Sequence, residues 1–187
     1  MRDPVQSVML AKLRISNKSK NDHFKILRTL GSGAFGSVDL CKVLDEKSYA
    51  KIGDQVAVKR MKTVSDTEMA KKEALVLNKL DHEFIVRYLD NFKDNLGQLC
   101  IVMEYCDMGT LKDYLSSYPV RPHPEYNIWR MVGQFSYALH FLHSQRPPIL
   151  HNDLKPANIL CKTDPDSGGL EIKIADFGVC EVLGIKI

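Results

Sequence analysis

His151-Asn152-Asp153-Leu154-Lys155-Pro156-Ala157-Asn158 decides how this chain is read. It sits between the apolar pairs Ile149-Leu150 and Ile159-Leu160, and after a polar loop comes Ile174-Ala175-Asp176-Phe177-Gly178. Polar and apolar residues arrive in blocks here, not at a helical period, so the segment reads as short connections between strand-like pieces. Two acids, an amide and a lysine are crowded into those connections. Phosphoryl transfer calls for such a set: a base that orients a hydroxyl, oxygen ligands for magnesium and a cation near the moving phosphate. Taken alone, an Asp close to an Asn is usually a turn. The decision therefore rests on the rest of the chain.

Upstream, the strand-like run Phe24–Leu30 leads into Gly31-Ser32-Gly33-Ala34-Phe35-Gly36-Ser37-Val38. A G-x-G-x-x-G is shared by several nucleotide folds, and the residues on its C-terminal side discriminate between them. A dinucleotide fold would open a helix, whereas Val38, Leu40 and Val43 sit among polar residues as in a strand. No Gly-Lys-Ser/Thr comes next, which excludes a Walker-type loop. A strand–glycine turn–strand hairpin is left, whose glycines let backbone amides approach phosphates, although a ligand-free flexible hairpin fits the same pattern.

Lys42 to Gln55 reads as a polar connection. In the strand Val56–Met61, alternation puts Ala57, Lys59 and Met61 on one face and Val56, Val58 and Arg60 on the other. Small Ala57 beside Lys59 leaves room for a flat ring. Ser65-Asp66-Thr67-Glu68 is a capping box that predicts a helix to about Leu80. Glu73 shares the apolar stripe of Met69, Val76, Leu77 and Leu80. A core-facing carboxylate needs a cation, for which Lys59 is the nearest candidate, unless it reaches water at the stripe edge.

Phe84–Leu89 and Leu99–Met103 read as further strands, with a turn at Asp94–Gly97. Glu104–Gly109 reads as a linker. Thr110-Leu111-Lys112-Asp113 caps a short helix to about Ser117. Pro119, Pro122 and Pro124 precede a helix from about Glu125 to His143. Its apolar stripe, Ile128, Met131, Val132, Phe135, Leu139 and Leu142, is assigned to the core.

The 187 residues, 44% hydrophobic and 26% charged, suit a globular chain of one domain or two small lobes. A net charge of +3 is too small to imply nucleic acid as a partner. No apolar run approaches the roughly 18 residues of a membrane span, and the N-terminus lacks a signal-peptide core. Cys41, Cys100, Cys106, Cys161 and Cys180 form neither a Cys-x-x-Cys pair nor a secreted disulfide pattern, so a reducing, cytoplasmic setting is expected. Nothing in the sequence indicates an oligomeric state.

Five motifs in one order resemble a eukaryotic protein kinase over about residues 24–187. They are the glycine stretch, Val56-Ala57-Val58-Lys59, Glu73 nine residues before His82, the Asp153–Asn158 loop and Asp176-Phe177-Gly178. The resemblance implies an α+β, two-lobed fold with an antiparallel N-lobe sheet plus one helix and an incomplete helical C-lobe. The expected boundaries are a flexible leader at 1–22, the N-lobe at 23–103, a hinge at 104–109 and a partial C-lobe at 110–187.

It implies ATP and Mg2+ as cofactors and a protein serine or threonine hydroxyl as acceptor. Leu30, Gly31, Ser32, Gly33, Ala34, Phe35, Gly36 and Val38 would border or cover the nucleotide. Ala57, Met103 (the gatekeeper position), Glu104, Cys106 and Leu160 would receive adenine. Lys59 would pair with Glu73, which turns the open question about Glu73 toward the ion pair. Asp153 would take the acceptor's proton, and Asn158 and Asp176 would hold magnesium. Lys155-Pro156 has the serine/threonine-kinase form, and Met103–Cys106 with Lys155–Asn158 looks most like the NIMA-related group.

Two departures stand out. Asn152 occupies a position where the family usually has arginine, and an amide cannot supply that charge to an activation-loop phosphate. No Ala-Pro-Glu occurs between Gly178 and Ile187, so a fragment, an incomplete reading and a natural truncation all fit. The alternative from another class is a non-catalytic, kinase-like nucleotide-binding or scaffold module. A small-molecule kinase is disfavoured by Lys155-Pro156-x-Asn158.

Overall fold

The computed structural model describes residues 23–33, 36–47, 49–61, 66–117 and 124–184. The 1–22 leader, Ala34 and Phe35 of the glycine stretch, the Ser65 cap, Pro119 and Pro122 lie outside the described residues. The chain divides into two compact units, one ending at Lys79 and resuming over Arg87–Tyr105, the other formed by Leu80–Val86 and the chain from Cys106 onward.

The first unit is built on antiparallel strands. β1 (Phe24–Ser32), β2 (Gly36–Val43), β3 (Gln55–Met61), β4 (Tyr88–Lys93) and β5 (Leu99–Glu104) form one antiparallel sheet in the order β1-β2-β3-β5-β4. Val56 and Val58, on one face of β3, are buried with Phe24, Cys41, Val43, Phe92, Cys100 and Val102, where Phe24 stacks on Phe92 at 5.5 Å. The β1–β2 ladder slips between Ile26 and Arg28 and between Thr29 and Gly31, and the β4–β5 ladder slips between Tyr88 and Asp90. The turn at Asp94 forms as expected: Oδ1 accepts from the amides of Leu96 and Gln98, and Gly97 takes a φ of +75°.

α1 (Asp66–Leu77) ends earlier than the sequence suggests. Lys79 N–H closes a turn onto the Val76 carbonyl, and the chain then leaves to bury Leu80 in the second unit. The strand expected at 84–89 is also corrected, since the first unit's strand begins at Tyr88. Phe84–Val86 instead joins the second unit, where Ile174 N–H donates to Phe84 O and Val86 N–H to Ile174 O, both at 2.9 Å.

The second unit combines α2 (Leu111–Ser117), α3 (Glu125–Ser144), and the pairs β6 (Ile149–Leu150) with β9 (Glu181–Val182) and β7 (Ile159–Thr163) with β8 (Leu170–Ile174). Thr110 and Asp113 cap α2 reciprocally: Asp113 N–H donates to Thr110 Oγ1, and Thr110 N–H and Oγ1–H donate to Asp113 Oδ2. Of the apolar stripe expected on α3, Leu142 is buried and Met131, Phe135 and Leu139 are half-buried, and the helix's other buried residues are Gln134 and Ala138. Gln134 is tolerated there because its Oε1 accepts from Ile172 N–H at 3.0 Å. Ile128 and Val132 remain exposed and line a groove with Leu111 and Leu115 of α2. No described helix is long and apolar enough to cross a membrane.

Candidate active site

In the first unit the glycine stretch joins β1 to β2, with Gly31 opposite Val38 and Ser32 opposite Ser37. Gly33 N–H donates to Gly36 O at 2.9 Å and tightens the turn. Gly36 has a steric requirement, because a Cβ there would stand 2.0 Å from Arg60 O. Around Gly31 and Gly33 the added atom would meet nothing within 4 Å. Open space beside those backbones suits a bulky anion better than a packed turn.

Leu30 is exposed at the end of β1. Val38 lies opposite Lys59, Leu40 opposite Ala57, and Ala57 opposite Met103, so these residues share neighbouring rungs. Lys59 Nζ donates to Glu73 Oε1 at 2.8 Å and Oε2 at 2.7 Å, and Glu73 is only 1% exposed. The cation that the buried carboxylate requires is therefore present. Glu104 is buried as well, and its Oε1 accepts from Arg87 N–H at 2.8 Å while its own N–H donates to Arg87 O at 3.0 Å. That side chain braces the strand end, a role that depends on a residue 17 positions away and has no local signal in the sequence.

The second unit brings Asp153, Lys155 and Asn158 together. Lys155 Nζ lies 2.7 Å from Asp153 Oδ2, and Asn158 Nδ2 donates to Asp153 O at 2.9 Å and Oδ2 at 2.8 Å. The hydrogen bond from Lys155 is the main reason that the Asp153 carboxyl stays below its ordinary pKa, with Asn158 adding to it. Asp153 is thus an anion at neutral pH, ready to accept a proton or a hydrogen bond. Pro156 starts the 3-10 turn Pro156–Asn158, which turns Asn158 back into the core beneath Asp153. With its NH2 spent on Asp153, the oxygen of Asn158 is the end that could take a cation.

His151 joins this loop to the Asp176 segment, a role that the sequence pattern does not assign. Its Nδ1 accepts from Asp153 N–H at 3.3 Å and its Nε2 meets Ala175 O at 3.0 Å, which defines the neutral tautomer with hydrogen on Nε2. Burial lowers its pKa and keeps it neutral. Ala175 N–H in turn donates to Asn158 O at 2.9 Å. The His151 ring stands edge-on to fully buried Phe177 at 4.8 Å. The apolar flank Ile149-Leu150 is the available hint that this histidine is inside. Asn152 and Asp176 both have φ of +64°, the left-handed region that Asn and Asp adopt more readily than most residues. Asn158 and Asp176 supply hard oxygen donors of the kind magnesium takes, so the residues fit that ion. Leu160 on β7 bridges Thr110, and Cys106 is buried at the start of this unit's second segment.

A five-stranded sheet with a lysine–glutamate pair, and a loop of Asp, Lys and Asn beside an Asp-Phe-Gly segment, define a protein kinase core. The chain belongs to the protein kinase domain family, whose model matches residues 24–186. It is 32% identical over 162 residues to the human serine/threonine-protein kinase Nek5, covering 87% of this chain and 22% of that protein. To the Xenopus tropicalis serine/threonine-protein kinase tousled-like 2 it is 32% identical over 166 residues, 87% of this chain and 23% of that protein. To the mouse serine/threonine-protein kinase Nek3 it is 32% identical over 163 residues, 87% and 29%. The Nek kinases are NIMA-related, which agrees with the group resemblance, and a tousled-like kinase is equally similar. The chain spans about a quarter of the length of these relatives.

Proposed function

We propose that this chain uses Mg-ATP to phosphorylate serine or threonine hydroxyls of a protein acceptor. The observation that carries the reading is the Asp153–Lys155–Asn158 cluster, tied through His151 to the residue before Asp176. Asp153 orients the acceptor hydroxyl and takes its proton, while Lys155 offsets charge on the phosphoryl group in flight. Asn158 and Asp176 would hold magnesium, which would supply positive charge against the negative charge of the phosphates. On the first unit, Lys59 takes phosphate oxygens with Glu73 fixing its ammonium, and the Gly31–Gly36 turn offers amides. Ala57, Met103 and Glu104 of the first unit are proposed to contact the base, as, on the family resemblance, are Cys106 and Leu160 of the second. A cytoplasmic location is part of this proposal, resting on cysteines that are all unbridged.

The test has two stages. Titration with Mg-ATP should raise the melting temperature saturably, and Lys59→Met should remove most of that shift. A folded sample that shows no shift at millimolar nucleotide would count against the reading. Any phosphoserine or phosphothreonine formed on a generic protein must then disappear with Asp153→Ala. Transfer that survives this change would assign the chemistry elsewhere.

A further inference from the structure

A second charged network occupies the face of the sheet opposite Lys59, centred on Asp39 of β2. Asp39 is 6% exposed, yet both its oxygens are engaged. Oδ1 accepts from Thr29 Oγ1–H at 2.9 Å, and Oδ2 accepts from Arg60 Nε–H at 3.1 Å. Arg60 extends further, its Nη1 lying 3.8 Å from Cys100 Sγ on β5. One carboxylate therefore ties β1 to β2 and β3, and the guanidinium carries the tie on to β5.

The attachment points matter for the glycine turn. Thr29 stands two residues before Gly31, and Arg60 comes directly after Lys59. Phe24 is the one buried residue of β1, and besides its ladder with β2, which slips between Thr29 and Gly31, this end of the strand is tied by Thr29 to Asp39 and by Arg28 Nη2–H, which donates to the Tyr105 hydroxyl at 3.3 Å. The Arg60 carbonyl is also the atom that lies against Gly36. Both ends of the Gly31–Gly36 turn are thus referred to the Asp39–Arg60 pair. A plain strand of the same fold needs no buried acid at this place, because the backbone ladder already satisfies its polar groups.

We infer that Asp39, through Thr29 and Arg60, is a positioning residue that sets the glycine turn for the phosphates of the nucleotide while contributing nothing to recognition of the base. The inference rests on the proposed use of ATP. Loss of one hydrogen bond that orders the turn should weaken phosphate binding about three- to tenfold, the range of one net hydrogen bond. Adenosine, which lacks phosphates, should be indifferent to the change.

The experiment measures dissociation constants of the 187-residue chain for Mg-AMP-PNP and for adenosine, in the native form and in Thr29→Val, Thr29→Ser and Asp39→Asn. The expected result is a loss of about three- to tenfold for Mg-AMP-PNP in Thr29→Val and Asp39→Asn, with adenosine unchanged and Thr29→Ser near native. Equal losses for both ligands, or none for either, would overturn the inference and leave the network a structural brace. Should Asp39→Asn fail to fold, the Thr29→Val and Thr29→Ser pair on the exposed strand still decides. A native chain that binds neither ligand would instead refute the nucleotide reading itself, and this inference with it.

Discussion

Lys59 on β3 reaches both carboxylate oxygens of Glu73 on α1, at 2.8 and 2.7 Å, with side-chain exposures of 13% and 2%. A pair this dry is costly to break from one side, because the surviving charge is left without a partner. Lys59→Met should therefore destabilise the protein by about 3–5 kcal/mol. Lys59→Met combined with Glu73→Met should recover part of that loss, since no buried charge then remains. Chemical denaturation of the two variants tests this. A double variant less stable than Lys59→Met alone would contradict it.

The glycines of the turn should separate into two kinds. At Gly36 a methyl group collides with the Arg60 carbonyl, a backbone atom that cannot swing aside. Gly36→Ala should cost about 1–3 kcal/mol of stability, as overpacking does. Gly31→Ala and Gly33→Ala meet open space and should change stability by less than about 0.5 kcal/mol. They should still weaken Mg-ATP binding by obstructing the approach to their amides. Melting curves with and without nucleotide would expose any reversal of this order.

Asn152 holds a φ of +64°, where most L-residues are strained by about 1–2 kcal/mol. Asn152→Gly should be tolerated, Asn152→Ala should cost about 1 kcal/mol, and Asn152→Val should cost more. The asparagine is then explained in part by its backbone and not solely by its missing charge. Equal melting temperatures for the Gly and Val variants would remove this explanation.

His82 predicts a response to acid. Its Nδ1 accepts from Phe84 N–H at 3.1 Å, while Nε2 is buried without a hydrogen-bond partner near the rings of Tyr137 and Phe141, at 4.9 and 4.7 Å. Burial lowers its pKa below 6.5; Glu83 opposes this, and Lys173 lowers it further. The unfolded chain therefore takes the proton first as pH falls. The stability associated with neutral His82 is full above about 6.5 and drains away until the pH passes the depressed folded value. His151, also lowered, acts in the same direction. Thermal unfolding from about pH 7.5 to 5 should show this slope, and His82→Leu should flatten it in part while lowering stability throughout. An unchanged slope in that variant would acquit His82.

The sheet and the 151–158 loop are legible in the sequence because their signals are local. Strand-like runs locate β1, β2, β3 and β5, the Thr110–Asp113 cap locates α2, and the polar block at 151–158 locates the loop. What escapes depends on distant partners. Phe84–Val86 has strand-like residues, yet its backbone bonds go to Ile174, about 90 positions on. Periodicity places the α3 stripe, but the helix buries Gln134 because Ile172 N–H needs an acceptor. His151 and Asp39 are visible as residues, though the atoms that engage them lie on other strands and turns.

The irregular ladders of the sheet have a consequence for self-association. β1 and β4 are its margins, and among the described residues neither carries a further strand outside it. β1 also exposes Ile26, Leu27 and Leu30, a combination that invites a strand from another copy. Each margin, however, is broken by a register slip, at Ile26/Arg28 and Thr29/Gly31 on one side and Tyr88/Asp90 on the other. Lys25 and Arg28 stand along the first, Asp90 and Lys93 along the second. A second copy docking β1 against β1 would meet a ladder out of step and like charges at close range. The same slips that shape the end of β1 beside the glycine turn thereby guard the fold against edge-to-edge polymerisation.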